Sequence, residues 1–266
     1  MKKNGKYCSK KSMNMKPLAV LLAMVLLVGC AIGGTLAWLT AKSEQVENTF
    51  SDSDININLN ETGTTENKKE FEMVPGWTIN KDPYVTVLAD SEDCWLFVEV
   101  TESTNPALSN YIKYTVDQGA ASTSEKTIDE KTVTVNHGGW TQGKGTEANG
   151  DGVPTNVYYR QVTASDADQV FAILGGGEYT DADTAKYTWN ADQVLVRPEV
   201  TKEMMDAIDG DPTGEKQPTL SFKAYAVQLW KTNKPADLNN TDAVAAAQFS
   251  ADVAWAKRPQ PTTTTP

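Results

Sequence analysis

This chain of 266 residues predicts a mainly β fold, a β-sandwich with one or two short helices. Three observations predict it. Short apolar runs recur between turn-forming residues, one of them alternates with period two, and only two stretches repeat at helical spacing. The alternating run is Asp54–Asn60, where Ile55, Ile57 and Leu59 share one face and asparagines the other, as a half-buried strand requires. Val74-Pro75-Gly76 reads as a turn leading to Ile79 and to a strand over Tyr84–Leu88. Another turn follows at Asp90–Asp93. The run from Trp95 to Thr101 is apolar on both faces, which places it at the centre of a sheet.

Further strands are expected over Tyr111–Val116, Thr132–Val135, Val157–Val162, Gln193–Val196 and Thr219–Lys231. Gly138, Gly139, Gly143, Gly145, Gly150 and Gly152 crowd residues 136–152, which read as an exposed, mobile loop. Val200–Ile208 reads as a short helix. The last element also reads as one helix, with Thr241 as its cap, Asp242 beside the free N–H groups, and Ala245, Phe249, Val253 and Ala256 as its apolar stripe. Residues 259–266, rich in proline and threonine, are expected to be disordered.

Ahead of the sandwich lies an apolar segment. Lys16 and Lys42 bracket 25 uncharged residues, and six lysines with no acid precede or open that run. A basic start, an apolar helix and small residues at Thr35 and Ala37 make an export signal over residues 1–37, cut before Trp38. The same residues allow two alternatives. The run is long enough to remain as a membrane anchor, and Leu27-Val28-Gly29-Cys30 fits a lipidation site at Cys30. Cutting after Ala37 leaves 38–53 as a flexible arm before a sandwich domain over 54–258.

Removing the leader takes away six lysines, so the net charge moves from −11 to −17. Such a chain repels phosphate backbones, which excludes nucleic acid as a partner class. Of Cys8, Cys30 and Cys94, only Cys94 would remain, so no disulfide could form within the mature chain. Cys94 heads an apolar run and reads as a small buried residue.

The one histidine, His137, cannot supply a zinc ligand set, and no His-Glu-x-x-His is present. No serine sits in Gly-x-Ser-x-Gly. Gly175-Gly176-Gly177 precedes Glu178, the wrong charge for cradling phosphate. The pairs Asp181/Asp183 and Asp166/Asp168, the basis of a hydrolase alternative, read as solvated turn residues. Calcium is the one ion worth weighing: Asp206, Asp209, Asp211 and Glu215 form one acidic cluster, and Asp90, Glu92 and Asp93 another. Neither follows EF-hand spacing, so no cofactor and no enzyme activity are expected.

Three separated pieces carry a resemblance. The first is Gly34-Thr35-Leu36-Ala37-Trp38-Leu39-Thr40, with Asn48-Thr49-Phe50 soon after. The second is Val74-Pro75-Gly76-Trp77-Thr78-Ile79-Asn80-Lys81-Asp82-Pro83. The third is Phe222-Lys223-Ala224-Tyr225-Ala226-Val227-Gln228, followed by an alanine-rich helix ending at Trp255. Together they resemble the TasA/camelysin family of exported Gram-positive proteins, while residues 102–200 carry none of the likeness. The resemblance implies a leader cut by a signal peptidase of the SipW type and a jelly-roll-like sandwich. It further implies self-association into extracellular biofilm-matrix fibres, in which one subunit's N-terminal segment completes the next subunit's sheet, with a companion matrix protein as a further partner.

The residues allow that assembly on their own terms. A strand such as Ile55–Leu59 beside a flexible arm could add to a neighbour's open edge, where backbone bonds give affinity. The same strand can equally pair within its own subunit. Pro75-Gly76 sets a tight turn, and Pro83, lacking an N–H, belongs at a strand's start or edge, which makes Lys81-Asp82-Pro83 a structural motif whose Lys81 and Asp82 bond nearby backbone.

Overall fold

The computed structural model describes residues 40–44, 47–48, 55–62, 71–145, 152–209 and 217–259. The described chain is mainly β, built from open sheets. One sheet has six strands in the order β11 (Thr141–Gln142), β12 (Val157–Val162), β6 (Cys94–Glu102), β18 (Leu220–Gln228), β1 (Thr40–Glu44) and β2 (Glu47–Asn48). A second has five, in the order β3 (Ile57–Glu61), β5 (Pro83–Val87), β13 (Gln169–Ala172), β10 (Lys131–His137) and β9 (Ser122–Ile128). Its β10–β13 pairing is parallel. Smaller sheets join β4 (Thr78–Asn80) and β7 (Ile112–Lys113) to β17 (Gln193–Val196), β8 (Thr115–Val116) to β14 (Leu174–Gly175), and β15 (Gly177–Thr180) to β16 (Lys186–Trp189).

The central placement expected for the Trp95 run is what the fold contains. β6 pairs with β12 on one side and along its whole length with β18 on the other, from Glu102 opposite Leu220 to Cys94 opposite Gln228. Its side chains alternate between two cores. Leu96, Val98 and Val100 join Ala224, Ala226, Ile55, Ile57, Val85, Val87 and Phe171 in the cluster shared with the five-stranded sheet. Trp95 and Phe97 point the other way, toward Val157, Tyr225, Val227, Leu229, Phe249 and Trp255. Each large apolar side chain buried this way contributes about 1.5–3 kcal/mol.

The C-terminal stripe belongs to two helices. α1 (Lys202–Asp209) matches the expected short helix, but α2 (Thr241–Ala247) and α3 (Ala251–Ala256) are separate. Asn240, and not Thr241, caps the first of these by accepting from the Ala243 N–H, and Ser250 restarts the chain by accepting from Val253. Between them Phe249 donates its N–H to the Leu229 carbonyl at 2.9 Å, and Trp230 bridges Gln248. Backbone pairing with the end of β18 thus overrides helix continuation. Phe249 and Trp255 are buried, whereas Val253 is 45% exposed.

The glycine-rich stretch expected at the surface is packed over much of its described length. Trp140 is buried and its indole donates to the Ala172 carbonyl at 2.7 Å. The Arg160 guanidinium lies 5.5 Å from the Trp140 ring and 4.3 Å from the Phe171 ring, and donates to the Gly138 carbonyl. Sequence patterning also missed β9, β13, β15 and β16, which are short or dominated by polar residues. Among the described glycines, Gly143 is the most tightly enclosed: a Cβ there would stand 2.1 Å from the Pro154 carbonyl oxygen. Gly143→Ala is therefore expected to lower stability by about 1–3 kcal/mol in urea denaturation, because backbone must shift to admit the methyl group.

Candidate functional site

The residues nearest the expected cleavage site form the edge of the six-stranded sheet. β1 runs antiparallel to β18 in the register Thr40–Val227, Ala41–Ala226, Lys42–Tyr225 and Ser43–Ala224. The chain then reverses, and β2 returns along β1 with Ser43 opposite Asn48 and Glu44 opposite Glu47. Part of the segment expected as a flexible arm is therefore strand. Thr-Ala-Lys-Ser-Glu contains a single apolar residue, and a backbone ladder joins it to β18. No hydrophobic pattern marks these residues, which is why periodicity passes them over.

The residues expected to donate a strand sit elsewhere. Ile55 and Ile57 are buried in the main core and Leu59 packs against it. β3 pairs with β5 from Ile57–Val87 to Glu61–Pro83, within its own chain. Withdrawing β3 together with Ile55, which leads into it, would empty the core of two isoleucines, a cost of several kcal/mol. Withdrawing β1 breaks its ladder with β18. Thr35, Ala37, Trp38 and Cys30 lie outside the described residues.

The Pro75–Pro83 motif forms a clamp. Gly76 takes φ +77° in the turn, where Trp77 N–H returns to the Val74 carbonyl at 3.0 Å. Trp77 and Val74 are exposed at its tip. The Lys81 ammonium reaches the Glu61 carboxylate at 2.9 Å and lies 5.4 and 5.7 Å from the Phe71 and Phe222 rings. Asp82 accepts from the Thr62 N–H and pairs at 2.7 Å with Lys126, which also reaches Asp192 at 2.9 Å. Burial disfavours the Lys126 charge, but Asp82 and Asp192 outweigh it and raise its pKa. Pro83 opens β5, as its missing N–H demands. The motif joins β3, β5, β9 and the turn before β17. Lys126 and Asp192, essential to it, carry no sequence signal.

The remaining candidates resolve into structural roles. Cys94 is fully buried, and burial, with Asp93 adding, pushes its thiol pKa up to about 12. His137 ends β10 and shares a 2.7 Å hydrogen bond with the Ser124 hydroxyl. Asp93 is a buried node: it accepts from Lys234 at 2.6 Å, the Trp230 indole at 2.6 Å and the Ala164 N–H at 2.7 Å. Asp90, Glu92 and Asp166 line a shallow depression with Ser91, Ala164 and Ser165. Asp206 pairs with Lys202, and Asp211 and Glu215 lie outside the described residues. Asp168 and Asp181 accept backbone N–H groups of Ala89 and Ala185 in turns. Among the described residues no group of three or more histidine, cysteine or acidic side chains is placed to hold a metal, and no helix is long and apolar enough to cross a membrane.

Comparison with protein-family models, curated proteins and solved structures finds no match to this chain. The site is therefore defined by its own geometry: a short polar strand, β1, laid along β18 with β2 outside it.

Burial opposes ionisation of Asp93, but its three donors outweigh burial and hold the carboxyl below the usual range. A depressed folded-state pKa contributes stability above the unfolded carboxylate pKa, and that contribution fades as pH falls through the folded value. Asp93→Asn should cost about 2 kcal/mol near neutral pH. The gap to the unaltered chain should shrink on acidification, as urea titrations at a series of pH values would show.

Proposed function

We propose that this chain is a secreted, non-enzymatic structural subunit with a jelly-roll-like sandwich, which assembles into extracellular matrix fibres by exchanging its N-terminal strand between copies. The observation that carries the reading is the place of β1. It begins three residues beyond the expected cut at Ala37, lies between β18 and the edge strand β2, and is polar in sequence but for one alanine. A second copy's β1 can make the same ladder on β18, so exchange conserves hydrogen bonds and its outcome depends on subunit concentration. The export signal and the likeness to the TasA/camelysin family support the same reading, with the SipW-type peptidase as processing partner and the matrix or cell surface as location. The acidic mature chain suits solubility until strands exchange.

The test is electron microscopy of the mature chain beside a variant lacking residues 38–48, which leaves β3 and both cores in place. The mature chain should form filaments. The shortened one should stay monomeric with an unchanged circular dichroism spectrum, and filaments from it would overturn the role of β1.

A further inference from the structure

β18 is longer than the strand that covers it. It spans Leu220–Gln228 and pairs with β6 throughout, yet the β1 ladder stops at Ser43–Ala224. Among the described residues no strand pairs with the outer edge of Leu220–Lys223. Exposure changes at the same point: Ala224–Val227 are buried, whereas Ser221 and Lys223 are exposed. The Thr219 carbonyl accepts from the Ser103 N–H and the Leu229 N–H donates to the Asp93 carbonyl, so odd-numbered residues of β18 turn their backbone groups toward β6. By alternation Leu220 and Phe222 turn theirs to the open side.

Resting on the strand-exchange reading, we infer that Leu220–Lys223 is the docking edge at which the N-terminal segment of a second copy first pairs before displacing the resident β1. The occupant follows from continuity of register. An incoming segment that continues straight past Ser43 sets Glu44 opposite Lys223, then Gln45, Val46 and Glu47 opposite Phe222, Ser221 and Leu220. Glu44 and Lys223 are complementary in charge. In the chain's own fold β1 ends at Glu44 and the continuation beyond it is absent, because β2 turns back along β1. The intermolecular ladder is thus the longer of the two. Pairing at the open half and migrating into the covered half lets each new bond replace one that breaks, so β1 never has to leave β18 in a single step.

Uptake of fluorescent peptides by the mature monomer tests this. One peptide spans residues 38–48 and reaches the open edge; the other spans 38–43 and covers only the resident ladder. The longer should be taken up roughly tenfold faster, about the factor that 1.4 kcal/mol of barrier sets. Lys223→Glu, at an exposed position, should slow the longer peptide and leave the shorter unchanged. Equal, measurable uptake of both would overturn the docking edge and leave strand exchange standing. Uptake of neither would remove both.

Discussion

The pairing of β6 with β18 is the constraint on which the rest of the fold depends. The two strands are bonded along their full length, and apolar side chains leave both faces. A strand pair apolar on both faces must be covered twice. The five-stranded sheet covers one face through Ile55, Ile57, Val85, Val87 and Phe171, and α3 with the Phe249 linker helps cover the other. Asp93, just ahead of β6, ties that end of the pair to the chain beyond β18 through Trp230 and Lys234. β18 is therefore a fixed template, and whatever lies on its outer edge is added to a rigid body.

Two strands near the N-terminus are held by different forces. β3 alternates Ile57 and Leu59 with asparagines and is anchored by side chains in the core. β1 is polar in sequence and pairs with β18 through a backbone ladder that a second copy can reproduce. The difference is why we propose β1 for assembly although β3 has the more conspicuous pattern. A hydrophobic alternation marks what a strand will not give up. The Lys81–Asp82–Pro83 clamp fixes β3 further, since Glu61 at the strand's end is the partner of Lys81.

Much of this was legible in the sequence wherever burial wrote a pattern. The mainly β class, β3, the central β6, the Val157–Val162 and Gln193–Val196 strands, the Pro75–Gly76 turn and the buried Cys94 all follow from period and turn chemistry. What escaped was decided by partners distant in sequence. The stripe from Ala245 to Ala256 has helical spacing, yet Phe249 breaks it to bond Leu229. Glycines at 138 and 139 suggested an open loop, yet Arg160 and Ala172 hold Trp140 inside. Lys126 is one lysine in a polar run until the fold sets it between Asp82 and Asp192. β1 left no trace, because its polar sequence carries no apolar period.

Hydrogen exchange on the mature monomer tests the central claim most directly. Ala224 and Ala226 turn their amides toward β1, whereas Tyr225 and Val227 turn theirs toward β6. If β1 is held chiefly by an exchangeable ladder, the Ala224 and Ala226 amides should exchange at least about tenfold faster than those of Tyr225 and Val227, and become protected on assembly. Equal, deep protection of all four amides in the monomer would contradict the account.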